Sequence, residues 1–375
     1  MSRKKKPEKI RADLRKKHDT RPRRSDVTRD FRSQRTGEEQ QSERISGKGD
    51  LTRKRTVIGQ SADGEGFSVR LNVDEEVCLP GRVLEVFGLT SDVLADNGRR
   101  YRCATRRLLK TLSTDQRHVV AAGDRVMIRP QGEDEGFIER IEPRHGVLNR
   151  TVRGRQAVIV TNVDLLFIIA SAAQPDLKPH LIDRMLVTAH RNGIEPVIVI
   201  NKVDLVDPAS LQPIVGVYGQ LGYQVLLVST VTGFQVDRLR RLVVGRESVV
   251  AGQSGVGKSS ILNVIQPGLQ LRVREVSAEN EKGRHTTTSA VLVPLDCGGF
   301  IVDTPGIRQF QLWDVVSAEV AGFFRDIRPF INRCRFPDCT HTHEADCAVK
   351  EAVADGRLDL RRYESYCHMF AGEEA

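Results

Sequence analysis

We expect the chain of 375 residues to carry neither a membrane-spanning segment nor an export signal. No apolar core follows the basic start, which argues against a secretion signal, and nine acidic residues among the first 55 argue against an organelle transit peptide. The longest apolar stretch, near 163–173, is too short and too interrupted to span a bilayer. We therefore expect a cytoplasmic protein with no membrane partner.

The sequence also lacks a pattern of paired cysteines. Its seven cysteines, at 78, 103, 297, 334, 339, 347 and 367, are odd in number and unevenly spaced, which disfavours a disulfide framework. Internal repeats and coiled-coil heptads are missing too, so a monomer is the default expectation. Three of the cysteines fall within fourteen residues, which indicates another kind of chemistry.

Positive charge is concentrated at the amino terminus. Residues 1–55 contain 20 Lys and Arg against 9 Asp and Glu, whereas the remaining chain carries a net charge of −2. With few large apolar residues, this segment predicts a disordered tail and linker over residues 1–74. Two interpretations stay open: a solubilising tail, or a basic arm that binds a phosphate backbone through counterion release.

Three further regions follow. Five short strand-like runs within 75–148, with a hairpin turn at Asn97-Gly98, predict an OB-type β-barrel that either binds RNA or serves as a scaffold. Strand-like and helix-like runs alternate over 149–310, which predicts a parallel, doubly wound α/β sheet. Residues 311–375 are polar and contain cysteines, and they end in a charged helical segment. The predicted strands are 81–87, 93–95, 101–105, 125–129, 137–141, 163–170, 196–200, 225–228, 248–251 and 300–302, and the predicted helices are 179–192, 208–221 and 233–244.

A phosphate-binding motif, GxxxxGK[ST], lies between a strand-like run and a helix-like run. Glycines let backbone N–H groups turn inward and hold phosphate oxygens at a helix amino terminus. We expect Lys258 to reach the β- and γ-phosphates and the Ser259 hydroxyl to bind Mg²⁺. The residues assigned to the nucleotide are Gly252, Gln253, Ser254, Gly255, Val256, Gly257, Lys258, Ser259 and Ser260.

A second motif, DTPG, follows the apolar run 300–302. Asp303 is expected to hold Mg²⁺, usually through water, and the Gly306 N–H to sense the γ-phosphate. Taken alone, a DxxG sequence is most often a simple turn, but beside a phosphate loop it favours a nucleotide site.

A third motif, NKVD, follows the apolar run 196–200 and comprises Asn201, Lys202, Val203 and Asp204. The Asp204 carboxylate can accept hydrogen bonds from guanine N1–H and the 2-amino group, which adenine does not offer. We expect Asn201 to brace neighbouring loops and the Lys202 stem to cover the base. Ser229, after the run 225–228, is expected to support the base carbonyl through its backbone N–H. A plain surface turn is the competing interpretation of NKVD.

The order of the motifs is unusual, because NKVD and Ser229 precede the phosphate loop and DTPG comes last. In an open α/β sheet the ligand loops all lie at the carboxyl ends of the strands, so the site survives a different connection of the chain. We therefore predict a circularly permuted GTPase domain that binds GTP and GDP.

Together with the barrel and the cysteine cluster, the motifs GQSGVGKSS, KGRHTTT (282–288) and DTPG resemble the small ribosomal subunit biogenesis GTPase A (RsgA/YjeQ) family. The resemblance covers roughly residues 75–370. It implies an OB barrel (75–148), a permuted GTPase domain (149–310) and a helical zinc-binding domain (311–375). It also implies late maturation of the small ribosomal subunit, with hydrolysis stimulated by that subunit.

Two features bear on hydrolysis. Thr286 or Thr287, with Thr287 preferred, is expected to close over Mg²⁺ and the γ-phosphate, although a polar surface loop fits the same positions. Ile307 stands where many GTPases have a glutamine that orients water, so slow hydrolysis is expected in the free protein. His285 is the internal candidate for this role, and an exposed structural histidine is the alternative.

The cysteine cluster has metal-ligand spacing. Cys334, Cys339, His341 and Cys347 supply three thiolates and one imidazole, which suits one structural Zn²⁺ with a closed tetrahedral shell. His343 is close enough to replace His341, whereas the family resemblance points to His341. Reduced cysteines in a polar loop are the competing interpretation.

These patterns predict a GTPase that binds the small ribosomal subunit and its rRNA. An RNA-binding assembly scaffold with little intrinsic turnover is the alternative, and NKVD opposes a third reading as a metabolic ATPase or kinase.

Overall fold

The computed structural model describes residues 9–11, 42–44, 52–54, 56–61, 67–71, 73–106, 119–152, 155–269, 290–303 and 317–372. The described amino-terminal stretches are strands: β1 (Lys9–Arg11), β2 (Ser42–Arg44), β3 (Thr52–Lys54), β4 (Thr56–Ser61) and β5 (Phe67–Leu71). Strand β4 pairs antiparallel with β1 and β5, and β2 pairs with β3. These short pairings differ from the predicted disordered tail and linker. In β5 the alternation Phe-Ser-Val-Arg-Leu has the period of a strand, which the basic composition obscured.

A closed five-stranded barrel follows, as the sequence predicted. Its strands are β6 (Leu79–Phe87), β7 (Thr90–Ala95), β8 (Arg100–Thr105), β9 (Arg125–Gln131) and β10 (Glu135–Ile141). They close in the order β10-β8-β7-β6-β9, with β8 and β10 parallel. Apolar side chains such as Val83, Val93 and Ile138 are fully buried and fill the interior.

The α/β region begins with a hairpin that the sequence analysis did not predict, and then strands alternate with helices. Its strands are β11 (Leu148–Val152), β12 (Arg155–Val160), β13 (Leu165–Ser171), β14 (Glu195–Asn201), β15 (Gln224–Leu227), β16 (Glu247–Gly252), β17 (Val291–Pro294) and β18 (Phe300–Asp303). Its helices are α1 (Pro179–Arg191), α2 (Gln212–Gln220), α3 (Val236–Val243) and α4 (Lys258–Ile265). Short 3₁₀ turns cover Val203–Leu205, Pro208–Leu211 and Pro267–Leu269.

Six of these strands form one sheet in the order β15-β14-β13-β16-β18-β17. The first five are parallel, as predicted, but the edge strand β17 runs antiparallel to β18. The predicted parallel sheet is thus present, with one antiparallel strand added at its edge. The cause is a tight turn between β17 and β18, in which Gly298 and Gly299 have φ of 82° and 86°. A Cβ at Gly299 would lie 2.5 Å from the Arg246 carbonyl oxygen, so this turn depends on glycine.

The C-terminal segment, residues 317–372, is helical, as the sequence predicted. It contains α5 (Val320–Phe323), α6 (Ala348–Ala354), α7 (Leu360–Ala371) and 3₁₀ turns at Ser317–Glu319 and Ile331–Arg333. Helix α7 packs against α1 of the α/β region, and Phe324, Ile327 and Tyr366 belong to a shared core with Val187 of α1. Among the residues that the structure describes, no helix is both long and apolar enough to cross a bilayer.

The chain divides into two compact units. One comprises Met1–Val83, Phe87–Val120 and Arg125–Glu142, and the other comprises Leu84–Val86, Ala121–Asp124 and Pro143–Ala375. The α/β sheet and the C-terminal segment therefore belong to the same unit.

Candidate nucleotide site and metal cluster

The motif residues are placed together by the sheet. Asn201 is the last residue of β14, Gly252 of β16 and Asp303 of β18, and Ser229 lies two residues after the end of β15. Because these strands are parallel, their carboxyl ends lie along the same edge. The permuted order of the motifs in the sequence therefore does not separate them in space.

The phosphate loop depends on glycines at two close approaches. Gly252 has a φ of 153°, and a Cβ there would lie 2.2 Å from the Ile169 carbonyl oxygen of β13. Gly257 has a φ of 94° and ends the loop at the amino terminus of α4. A Cβ at Gly257 would lie 2.3 Å from Nδ2 of Asn201. Larger residues at these positions would push the loop away from the sheet.

Lys258 folds back over this loop. Its Nζ donates to the carbonyl oxygens of Gly252 and Gln253, at 2.8 and 2.6 Å. Ser259 and Ser260 lie half-buried in the first turn of α4. The ammonium group is thus held at the mouth of the loop, where a phosphate group would meet both it and the helix amino terminus.

Asn201 connects the NKVD motif to the phosphate loop. Its side chain is buried, and Nδ2 donates to the carbonyl oxygen of Val256 at 3.0 Å. This hydrogen bond joins residues 55 positions apart and fixes the two motifs against each other. The positions for the base and for the phosphates of a nucleotide bound to both motifs are therefore fixed relative to each other before binding.

Asp204 is exposed and is oriented by Ser229, whose hydroxyl donates to the carboxylate Oδ1 at 2.5 Å. For Ser229 the sequence predicts a different contact, from its backbone N–H to the base. In the structure that N–H donates to the Phe234 carbonyl oxygen at 3.2 Å, because the loop after β15 closes on itself. Lys202 has a φ of 60° and its Nζ donates to the carbonyl oxygen of Gln174.

Several predicted residues lie outside the described part of the chain. His285, Thr286 and Thr287 fall within 270–289, and Gly306 and Ile307 within 304–316. For Asp303 the structure describes the backbone, which pairs with Val291. The predicted roles of these residues therefore stay predictions.

The predicted metal-ligand residues converge near the carboxyl terminus. One ligand atom from each of Cys334, Cys339, His341 and Cys347 lies within 4.8 Å of the others. The Cys334 and Cys347 sulfurs are 3.8 Å apart and lie 3.4 and 3.5 Å from His341 Nδ1. Zinc bonds of about 2.3 Å to sulfur and about 2.0 Å to nitrogen in a tetrahedron require separations of about 3.8 and 3.5 Å. The donor set therefore fits a closed tetrahedral site.

The two candidate histidines differ in burial. His341 is buried in the cluster, whereas the His343 side chain is 82 % exposed. Helix α7 holds the loop that carries His341 in place. Tyr363 and Tyr366 of this helix donate hydroxyl hydrogen bonds to the carbonyl oxygens of His341 and Thr340, at 2.8 and 2.6 Å. Thus α7 contacts both the cluster and α1.

Helix α7 also carries a buried ion-pair network that the sequence did not reveal. Arg362 is 2 % exposed, donates to Asp183 of α1, and makes two hydrogen bonds of 2.9 Å to Asp326. Tyr218 of α2 donates to the same Asp183 carboxylate at 2.7 Å, and the guanidinium lies 4.5 Å from the Phe324 ring centre. Asp183 lies among apolar residues of α1, which was a signal in the sequence that its carboxylate is buried. Nothing in the sequence identified Arg362 as its partner.

Known proteins are similar to this chain in sequence. Residues 141–313 match the family model described as RsgA GTPase. A protein of Gemmatimonas aurantiaca named small ribosomal subunit biogenesis GTPase RsgA is 41 % identical over 291 residues, which cover 76 % of this chain and 94 % of that protein. A protein of the same name from Sodalis glossinidius is 38 % identical over 296 residues, covering 77 % and 84 %.

Solved structures agree in fold. YjeQ from Thermotoga maritima aligns with a TM-score of 0.66 and 33 % identity over 79 % of this chain and 98 % of that one. YloQ, described as a circularly permuted GTPase, aligns with a TM-score of 0.62 and 28 % identity over 80 % and 97 %. With its motifs along one sheet edge and relatives of this identity and coverage, the chain belongs to the RsgA GTPase family.

Proposed function

We propose that this protein hydrolyses GTP to GDP and phosphate and acts in the late maturation of the small ribosomal subunit, which stimulates its turnover. The observation that carries the proposal is the Asn201–Val256 hydrogen bond, since it fixes a base motif against a phosphate loop. The ribosomal assignment is supported by the names of relatives that align with most of their length.

Recognition of guanine is assigned to the NKVD motif. Asp204, oriented by Ser229, accepts from guanine N1–H and the 2-amino group, and the Lys202 stem covers one face of the base. Adenine would leave this carboxylate without its donors, so ATP should bind on the order of 10⁴-fold more weakly. The Val203 side chain is buried, at 5 % exposure, and holds the NKVD motif on the sheet.

The phosphates are assigned to the loop of Gly252, Gln253, Ser254, Gly255, Val256 and Gly257, to Lys258, and to the first turn of α4. When GTP arrives, Lys258 exchanges its two carbonyl contacts for phosphate oxygens. Ser259 and Asp303 are the proposed Mg²⁺ ligands, and Ser260 extends the helix amino terminus beside the α-phosphate. Bound Mg²⁺ would neutralise charge that develops on the phosphates.

For the chemical step we propose that Thr286 or Thr287 and the Gly306 N–H respond to the γ-phosphate, with His285 orienting water. The reason is Ile307, which has no group that can hold water at the position after Gly306. Stimulation by the subunit would then come from ordering this incomplete site.

The remaining assignments complete the proposal. Cys334, Cys339, His341 and Cys347 would hold one structural Zn²⁺, because thiolates and imidazole favour zinc and four ligands leave no open position. The barrel (75–148), GTPase (149–310) and zinc (311–375) domains would together contact rRNA, with the monomer acting in the cytoplasm. The basic tail over 1–55 would add salt-dependent affinity.

The deciding experiment is GTP turnover by the full chain, titrated with purified small subunits and repeated with competing ATP. We expect turnover to rise with subunit concentration to a plateau, and ATP at equal concentration to leave it unchanged. His285→Ala should lower the plateau, whereas His343→Ala, at an exposed position outside the cluster, should not. Binding of GTP and subunits without a rise in turnover would favour the scaffold alternative. Equal competition by ATP would contradict the proposal.

A further inference from the structure

A mainly apolar groove lies between helix α1 and the phosphate loop. It is lined by Leu181, Ile182 and Met185 of α1 and by Gln253 and Val256 of the phosphate loop. Ile182 and Val256 are buried, whereas the other three side chains are half-buried. The groove measures about 280 Å³, part of which is open to solvent. Small-molecule sites usually measure roughly 300–1,000 Å³, so this groove suits one large side chain better than a cofactor.

The groove opens at the sheet edge where the motif loops lie. Ser171, the last residue of β13, also lines it, and only β16 separates β13 from β18. Neighbouring strands are about 4.8 Å apart, so β13 and β18 lie on the order of 10 Å from each other. On its other side the groove is bounded by α1, against which α5 and α7 of the C-terminal segment pack.

The chain has to connect these two sides between Asp303, where β18 ends, and Ser317, where the C-terminal segment begins. The connecting residues, 304–316, lie outside the described part of the chain and read TPGIRQFQLWDVV. They include Trp313, the single tryptophan of the sequence. An indole of this size removes about 150–250 Å² of surface from water when it is buried, which favours an apolar site on its path.

Charges at the rim of the groove complement those of the connecting residues. Asp176 and Lys178 are exposed at the rim, one of each sign. The connecting residues likewise carry one of each sign, Arg308 before Trp313 and Asp314 directly after it. A tryptophan in the groove could therefore be flanked by opposite charges on both sides.

We propose that the groove between α1 and the phosphate loop binds the side chain of Trp313. Ten residue positions separate Trp313 from Asp303, and a chain of that length reaches up to about 33 Å, well beyond the spacing of the strands. Ile182 in the groove is followed by Asp183, which pairs with Arg362 of α7. Helix α1 would thus hold the residues after DTPG on one face and the C-terminal segment on another.

Fluorescence of the full chain tests the inference, because all tryptophan emission comes from Trp313. Acrylamide should quench this emission several-fold less in the folded protein than in urea, and the emission should lie at shorter wavelength. Met185→Lys places a charge in the groove from a half-buried position. It should shift the emission to longer wavelength and raise the quenching constant roughly twofold, because the indole would leave a site that has become charged.

Two further variants make the test specific to the groove. Thr188→Lys introduces the same charge from a half-buried position on α1, but Thr188 is not among the residues that line the groove. It should leave the emission and the quenching constant unchanged. Leu181→Gln, a neutral change in the same wall as Met185, should act like Met185→Lys but more weakly. Circular dichroism checks that each variant is folded.

Two outcomes would overturn the inference. In the first, acrylamide quenches Trp313 of the unaltered protein as readily as in urea, which would place the indole in water. In the second, the indole is shielded but gives the same signal in Met185→Lys, Leu181→Gln and Thr188→Lys, which would place it elsewhere in the protein. Neither measurement needs a nucleotide, so this inference and the proposed function can fail separately.

Discussion

The α/β sheet and the C-terminal segment lie in one compact unit but are stabilised by different interactions. Every residue of β13, Leu165–Ser171, is buried, and apolar side chains from neighbouring strands and from α3 and α4 complete the core. In the C-terminal segment the helices are short, and the Cys/His cluster and buried Arg362 tie them together. Apolar burial is non-directional, whereas metal ligation and ion pairing depend on the positions of individual atoms. Single polar side chains should therefore matter most in the C-terminal segment.

The largest effect is expected at the cluster. Cys347→Ser should remove one ligand and with it most of the metal-binding free energy, which is about 10 kcal/mol or more in small zinc domains. We expect bound zinc to be lost and amide exchange to rise across 331–347, while β13 and β14 stay protected. Metal analysis and hydrogen exchange measure the two effects.

The control is Cys297→Ser, an exposed thiol outside the cluster, which should keep both the metal content and the protection. If Cys347→Ser kept its zinc, or if the sheet lost protection to the same extent as residues 331–347, the contrast between the two regions would be wrong.

The second effect is expected at the ion-pair network. Arg362→Met should lower the free energy of unfolding by about 4 kcal/mol, because Asp183 and Asp326 would stay buried without their counter-charge. Urea unfolding measures this loss. Combining Arg362→Met with Asp183→Asn should recover part of it, since one uncompensated charge is removed.

Arg361 provides the comparison one residue away. Its side chain is 44 % exposed and pairs with Asp359 at the surface, so Arg361→Met should change stability by less than about 1 kcal/mol. Equal losses in the two variants would mean that burial of the ion pair is not what matters.

The smallest effect is a dependence of stability on pH, and it arises where α1 of the α/β region contacts the C-terminal segment. Burial lowers the pKa of His190 on α1 to about 4, from 6.5, and nearby arginines of the C-terminal segment act in the same direction. The neutral ring lies 2.8 Å from the Tyr223 hydroxyl. His190 binds a proton more tightly in the unfolded chain than in the folded protein. Its contribution to the free energy of unfolding is therefore complete above pH 6.5 and falls as the pH drops towards 4.

Comparing the unaltered protein with His190→Gln isolates this titration from the carboxylates. The difference in unfolding free energy between the two should shrink as the pH falls from 6.5 to 4 and stay constant from pH 7 to 8. A difference that did not depend on pH would show that His190 titrates normally in the folded protein.

Much of the architecture could be predicted because it follows from local patterns. The five barrel strands, the central sheet strands and the helical C-terminal segment each have a recognisable period or turn. The antiparallel β17 was missed because a four-residue strand carries too little periodicity, and its direction depends on the turn at Gly298 and Gly299. The base contact of the Ser229 N–H stays a prediction, and sequence position could not show that this N–H donates to the Phe234 carbonyl oxygen within its own loop.

By itself the sequence determined the residue types and spacings that bind phosphate, guanine and metal, since each motif lies within a few residues and needs no distant partner to be recognised. Only the tertiary structure decided which histidine joins the cluster, how Ser229 orients Asp204, and that Arg362 pairs with Asp183, 179 residues away. The physical reason is that these contacts depend on the direction of side chains from different elements, which is fixed when the elements pack together.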